Sequence, residues 1–326
     1  MKKRIIQMLF MFVVTLLLAG CDTSKNLVDT RVYVPEEGGI NFEKVTNENA
    51  EQLIVPNIRK VDRRLYWWAN PYFAITKDGQ SLAYICSRND KSNIFVKQLS
   101  ARGGSQQRTF SDDINDVAYS PDGKTLCFSR RNGTSNSIFT TSATQGSVVQ
   151  QISSPGVKDY GPKYSPDGNM IFFARNDGSS YAIWSQDLNN GTLSYYCYGL
   201  TPYPINEEEF LCVRQNSNNN YEIWCVNYMK GTESILISQE NRSFTTPSLS
   251  PDGKWIVCTS NTIENGNENL DIYVLRTDGS RLTQLTYHKG NDLSPVWSPD
   301  GKSIYFLSQR GSEKGTYNIW KMNFNL

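Results

Sequence analysis

The tetrapeptide Ser-Pro-Asp-Gly recurs at Ser120–Gly123, Ser165–Gly168, Ser250–Gly253 and Ser298–Gly301, with a looser copy at Thr76–Gly79. Each copy is flanked by short apolar runs, as in Val117-Ala118-Tyr119 before and Leu126-Cys127-Phe128 after. Proline sets φ for the first turn position, aspartate bonds its own backbone, and glycine takes the left-handed conformation that closes the turn. One such hairpin is ordinary. Five at a spacing of about 45 residues define a repeat architecture.

An Ile followed by an aromatic residue counts the repeats independently. The pairs are Ile94-Phe95, Ile138-Phe139, Ile183-Trp184, Ile223-Trp224, Ile272-Tyr273 and Ile319-Trp320, at spacings of 44, 45, 40, 49 and 47 residues. The sixth unit lies between Gly168 and Asp252. There Phe210–Arg214 aligns with Ile171–Arg175, and Ile205-Asn206-Glu207 stands where Pro-Asp-Gly would be. Each unit reads as four short strands; in the fifth these are Pro247–Leu249, Trp255–Ser260, Asp271–Leu275 and Arg281–Thr286. Four antiparallel strands at this period build the blades of a β-propeller, and no helical apolar period follows the first 20 residues. The expected fold is therefore all-β: a six-bladed propeller with units near 65–110, 111–154, 155–199, 200–239, 240–288 and 289–326.

The last unit has no fourth strand of its own after Tyr317–Met322. An open edge of this kind is usually covered. The alternating segment Ile40–Thr46 is similar in character to Arg281–Thr286, so it is expected to pair beside Ile319 and close the ring.

Residues 1–20 read as a leader, with basic Lys2-Lys3-Arg4 followed by the apolar run Ile5–Leu18. Leu18-Ala19-Gly20-Cys21 resembles the lipobox of bacterial lipoproteins, which implies acylation of Cys21. Residues 21–39 then read as a tether. The expected location is the bacterial cell envelope, anchored to a membrane by lipid on Cys21 rather than crossing it. Without the leader's basic residues the chain is near neutral, at about −2, which gives no platform for nucleic acid. Of the remaining cysteines, Cys212 and Cys225 lie on neighbouring strands of one unit and form the best candidate disulfide pair. The single histidine, His288, sits on a connection between units. It cannot build a histidine-rich metal site, and no G-x-S-x-G accompanies it. No metal or cofactor is expected.

The stretch Pro295–Phe306, followed by Asn318-Ile319-Trp320 and preceded by Arg281–Asp292, resembles the WD40-like PD40 repeat of the TolB propeller family. The resemblance covers about residues 40–326 and implies a six-bladed ring. It also implies an envelope protein-binding module, since the family's namesake docks the lipoprotein Pal. PD40 repeats resemble the propellers of prolyl-oligopeptidase-type peptidases and of oligogalacturonate lyases too. The lyases use a histidine-rich metal site that this sequence cannot supply.

Binding residues on a propeller concentrate in the loops from fourth to first strands and from second to third strands. The candidates on these loops are Trp67, Trp68, Asn70, Asp116, Tyr160, Arg242 and Asp292. Trp67-Trp68 either anchors a partner or packs as core. The sequence thus points to a monomeric, non-catalytic propeller that binds an envelope protein, such as a Pal-like lipoprotein, or an envelope polymer. A glycan-binding or glycan-active propeller is the alternative. Acidic side chains clustered in the channel with aromatic platforms would favour it.

Overall fold

The computed structural model describes residues 40–46, 72–88, 91–100, 104–110, 113–144, 148–264, 267–311 and 316–324. Cys21, Trp67, Trp68 and Asn70 lie outside these residues.

Six four-stranded antiparallel sheets surround one axis, and the described residues contain no helix. Blade 1 runs from the inner strand Phe73–Ile75 outward through Ser81–Arg88 and Lys91–Gln98 to Gln106–Gln107. Blades 2 to 5 repeat this order from the inner strands Ala118–Tyr119, Asp159–Tyr164, Leu200–Pro204 and Phe244–Leu249. In blade 6, Asp292–Trp297, Ser303–Ser308 and Asn318–Asn323 are completed by Phe42–Lys44 from the far end of the chain. All six isoleucines of the Ile-aromatic pairs are fully buried. Their aromatic neighbours differ: Phe95, Phe139 and Tyr273 are buried, whereas Trp184, Trp224 and Trp320 stay half-exposed.

The turn motif works through its serine as much as its glycine. Ser120 Oγ donates to Asp122 Oδ1 at 2.6 Å and accepts from Thr125 N at 3.0 Å, while Asp122 Oδ1 also accepts from Lys124 N at 3.1 Å. The main-chain bond from Ser120 N to Thr125 O closes the loop, and Gly123 takes φ 71° within it. In blade 4 the loop is shorter by one residue. Ile205 N donates to Glu209 O at 3.0 Å, where Ser165 N in blade 3 reaches Met170 O. That places Asn206-Glu207-Glu208, rather than Ile205-Asn206-Glu207, opposite Pro-Asp-Gly.

Ring closure follows the alternating pattern of the N-terminal segment. Phe42, Glu43 and Lys44 pair antiparallel with Met322, Lys321 and Trp320. Thr46 Oγ1 then accepts from Ile319 N at 2.9 Å and donates to Asn318 Oδ1 at 3.0 Å. Thr286 does the same in blade 5, accepting from Ile272 N and donating to Asp271 Oδ1. Thr109 does so in blade 1, with Ile94 N and Asn93 Oδ1. The N-terminal segment therefore carries the blade's own clasp.

Two details differ from the sequence reading. In blade 5 the ladder between the second and third strands runs on to Glu264 opposite Asn267, through residues read as loop, because polar side chains do not interrupt backbone pairing. The Cys212–Cys225 pairing fails on register. Cys212 lies opposite Trp224 and Cys225 opposite Leu211, so the two thiols point to opposite faces of the blade. Both are free thiols, as are Cys127, Cys197 and Cys258.

Candidate functional site

The antiparallel order gives the ring two unlike ends. The Ser-Pro-Asp-Gly turns, joining first to second strands, lie at one. The loops joining second to third strands, and fourth strands to the next blade, lie at the other. The four described candidates, Asp116, Tyr160, Arg242 and Asp292, all belong to this loop end.

Three of the four are built into the scaffold. Asp116 is fully buried. Its carboxylate accepts from Ser129 N at 2.7 Å, from Ser129 Oγ at 2.5 Å, and across the blade boundary from Gly161 N at 2.8 Å. Burial pushes its pKa up, and these hydrogen bonds partly offset the effect. Asp292 is also fully buried and accepts from Arg310 Nη2 at 2.7 Å; burial again raises its pKa, against the pull of Arg310. Three blades earlier, Asp159 holds the equivalent position and takes a two-pronged bond from Arg175, at 2.7 and 2.9 Å. Tyr160 is nearly buried, edge-on to Tyr181 at 6.1 Å. Arg242 is half-buried, with its guanidinium 5.0 Å from the Tyr273 ring centre. His288 shapes its own connection, its Nδ1 accepting from Gly290 N at 3.0 Å.

A concave, reachable surface lies between blades 3 and 4. A groove of about 330 Å³ opens there, bordered by Ser180, Tyr181, Tyr198, Arg214, Gln215 and Tyr221. Tyr198 is 64% exposed and Tyr195 beside it 50%. Their rings meet edge-on at 6.5 Å, and Tyr195 meets Trp184 at 5.5 Å. Arg175 lies 5.2 Å from the Trp184 ring, so cation and aromatics form one continuous surface. Arg214 is fixed at the groove by a fork onto Glu233, at 3.0 and 2.6 Å, and by the Trp224 ring at 4.3 Å. Arg214 holds the Glu233 carboxyl below its usual range. Tyr195, Tyr198 and Arg214 were not named as binding candidates from sequence, although Tyr195-Tyr196-Cys197-Tyr198 is a visible cluster of aromatics. The signal was ambiguous because alternate residues of a strand face opposite sides, and Tyr196 packs with Phe172 and Phe210 instead.

The groove carries rigid rings and hydrogen-bond donors but no acid-base pair. Among the described residues, no Asp, Glu or His borders this groove. Among the described residues, no group of three or more His, Cys, Asp or Glu side chains could hold a metal ion.

Comparison with known proteins agrees with this geometry. The family profile for the TolB beta propeller domain matches residues 68–267 and 217–326. The Tol-Pal system protein TolB of Francisella tularensis subsp. mediasiatica is 31% identical over 105 residues, which is 32% of this chain and 23% of that protein. The matched stretch thus spans about a quarter of the curated relative's length. Among solved structures, TolB from Acinetobacter baumannii superposes with a TM-score of 0.59 at 23% identity, covering 69% of this chain and 56% of that one. An oligogalacturonate lyase from Vibrio parahaemolyticus gives 0.56 at 12% identity, covering 90% and 96%. Both structural likenesses bear on the fold alone. With the profile matching well over half its length, on six blades of which four carry the Ser-Pro-Asp-Gly turn, the chain belongs to the TolB β-propeller family.

Proposed function

We propose that this chain is a non-catalytic binding module of the bacterial cell envelope, tethered by lipid on Cys21, whose loop end docks a protein partner. The observation that carries the reading is the groove between blades 3 and 4, with Tyr198 and Tyr195 exposed beside a fixed Arg214. Tyrosine and arginine on a rigid scaffold are the residue types that dominate binding hot spots. Family membership and the name of the Tol-Pal relative favour a protein ligand in the envelope. Trp67, Trp68 and Asn70 precede the inner strand of blade 1 in the sequence and are proposed as further contacts.

The test is affinity capture of the full chain from crosslinked envelopes, compared with Tyr198→Ala and with the double variant Trp67→Ala/Trp68→Ala. A defined protein captured by the parent should be weakened about tenfold or more by Tyr198→Ala. Capture that survives both variants unchanged would overturn the assignment of this face. Retention on glycan or peptidoglycan without any protein partner would turn the reading to the carbohydrate alternative, for which the exposed Tyr195 and Tyr198 rings would serve as stacking platforms.

A further inference from the structure

Among the described residues, the inner strands of the channel hold a charge with no hydrogen-bonded or ion-paired partner, Lys163. Two residues before each turn serine, or its counterpart in blades 1 and 4, the inner strands contribute Ala74, Ala118, Lys163, Tyr203, Ser248 and Val296. Each lies opposite its second strand at an equivalent register, as Lys163 does to Phe172 and Ser248 to Val257. The six form one ring around the channel, and Lys163 is its single charged member.

Lys163 borders two adjoining spaces. One, of about 40 Å³, is lined by Gly161, Thr201, Tyr203 and Ser248 among others. The wider one, of about 230 Å³, lies toward the turns, where Ala74 and Ala118 on the two preceding blades leave room beside the lysine. Lys163 makes no hydrogen bond or ion pair within the described structure. The nearest carboxylate whose field it feels is Asp116, and that group is already committed to Ser129 and Gly161. The turn carboxylates Asp78 and Asp122 are bound to their own loops through Thr76 and Ser120. Burial holds the Lys163 ammonium below its usual pKa, against the opposing pull of Cys127 and Asp116. A second polar group in the narrow space is also unanswered: Thr201 Oγ1 is shielded from solvent and has no hydrogen-bond partner. Thr201 reaches that position through an inner-strand bulge with φ 46°, a costly conformation for a β-branched residue.

We propose that the turn-end half of the central channel binds a monocarboxylate with a short apolar body, with Lys163 as its counter-charge. The head group would sit in the narrow space with Lys163 and Thr201 as donors, and the body among Ala74, Ala118 and Tyr164. In the narrow space Lys163 is the single cation of a mostly apolar lining, which suits one negative charge and would leave a phosphate dianion half-neutralised; Lys77 borders the wider space. The carboxylate could belong to a free small acid or to the C-terminus of an extended peptide. The site lies on the inner strands that line the channel, not among the residues that border the tyrosine groove, and does not depend on it.

The experiment titrates the full chain with 3-phenylpropionate while following the methyl resonances of Ala74 and Ala118. Saturable shifts in the roughly millimolar range or tighter are expected, with the uncharged 3-phenylpropanol and inorganic phosphate much weaker. Lys163→Met should weaken binding by about tenfold or more, and Lys163→Arg should retain it. Ala118→Leu, which keeps the charge and fills the wider space, should also abolish it, so the proposal does not hang on one variant. A tripeptide ending in phenylalanine, as free acid and as amide, separates the sources. Competition by the acid alone points to a chain terminus, and no competition by either points to a free small acid. Equal binding of the alcohol or of phosphate, unchanged binding by Lys163→Met or Ala118→Leu, or no saturable shift would overturn the proposal.

Discussion

Asp116 shows how a single residue changes meaning between sequence and structure. On a loop between units it reads as a binding group. In the ring it is a tie between blades 2 and 3, because its carboxylate satisfies Ser129 in its own blade and Gly161 N in the next. Asp116→Ala would leave buried donors unpaired, and we expect it to cost about 2–4 kcal/mol in denaturant unfolding with the fold retained. The pH response has a definite sign. Burial raises the folded pKa above its usual 3.8, so the native state binds the proton more tightly than the unfolded chain. The contribution of Asp116 to stability therefore falls as pH rises from about 3.8 through the folded pKa. Asp116→Asn should lose that slope when stability is compared between acid and neutral pH. Nothing in the local sequence announces this role, since the partner amide lies 45 residues on.

The repeated turn is the element whose chemistry the sequence displays most fully. Proline, aspartate and glycine each act as their residue types demand, and the serine adds a clasp that the tetrapeptide implies once its loop is drawn. Ser120→Ala should destabilise blade 2 by about 1 kcal/mol, because Thr125 N loses its acceptor and Asp122 a donor. Hydrogen exchange at Thr125 should quicken in step. The turn aspartates Asp122, Asp167, Asp252 and Asp300 are all held below the usual carboxylate pKa, first of all by the adjoining serine hydroxyl. A depressed folded pKa contributes stability that is complete above the unfolded value and is lost as pH falls through the folded one. Unfolding midpoints should therefore drop below about pH 4. A variant with these four aspartates changed to asparagine should show a shallower acid slope. Blade 4 is the instructive exception. Its loop is one residue shorter and has lost the motif, yet its strands pair as the others do, because apolar alternation and neighbouring blades specify them as well.

At the scale of the molecule, stability depends on closing the circle. Residues 40–46 bring the last strand, the Thr46 clasp and the Phe42 ring, which meets Phe306 at 6.2 Å and carries the Arg310 guanidinium at 3.8 Å. Deleting residues 40–46 should lower stability by about 3–5 kcal/mol and cost the single cooperative melt, since an unpaired edge in blade 6 also weakens its neighbours. An unchanged melting temperature would refute this account of closure. The number of blades, the four-stranded repeat and the joining of the two chain ends were legible in the sequence because period, alternation and turn chemistry are local signals that recur. The burial of Asp116, Tyr160 and Asp292, the separation of Cys212 from Cys225, the exposure of Tyr198 and the position of Lys163 in the channel were not legible. Each is fixed by strand register, by a one-residue bulge on an inner strand, or by a neighbouring blade, and a shift of one residue sends a side chain to the opposite face. The repeat alone therefore determined the ring, whereas only the packing of blade against blade decided which side chains face the core, the channel and the solvent.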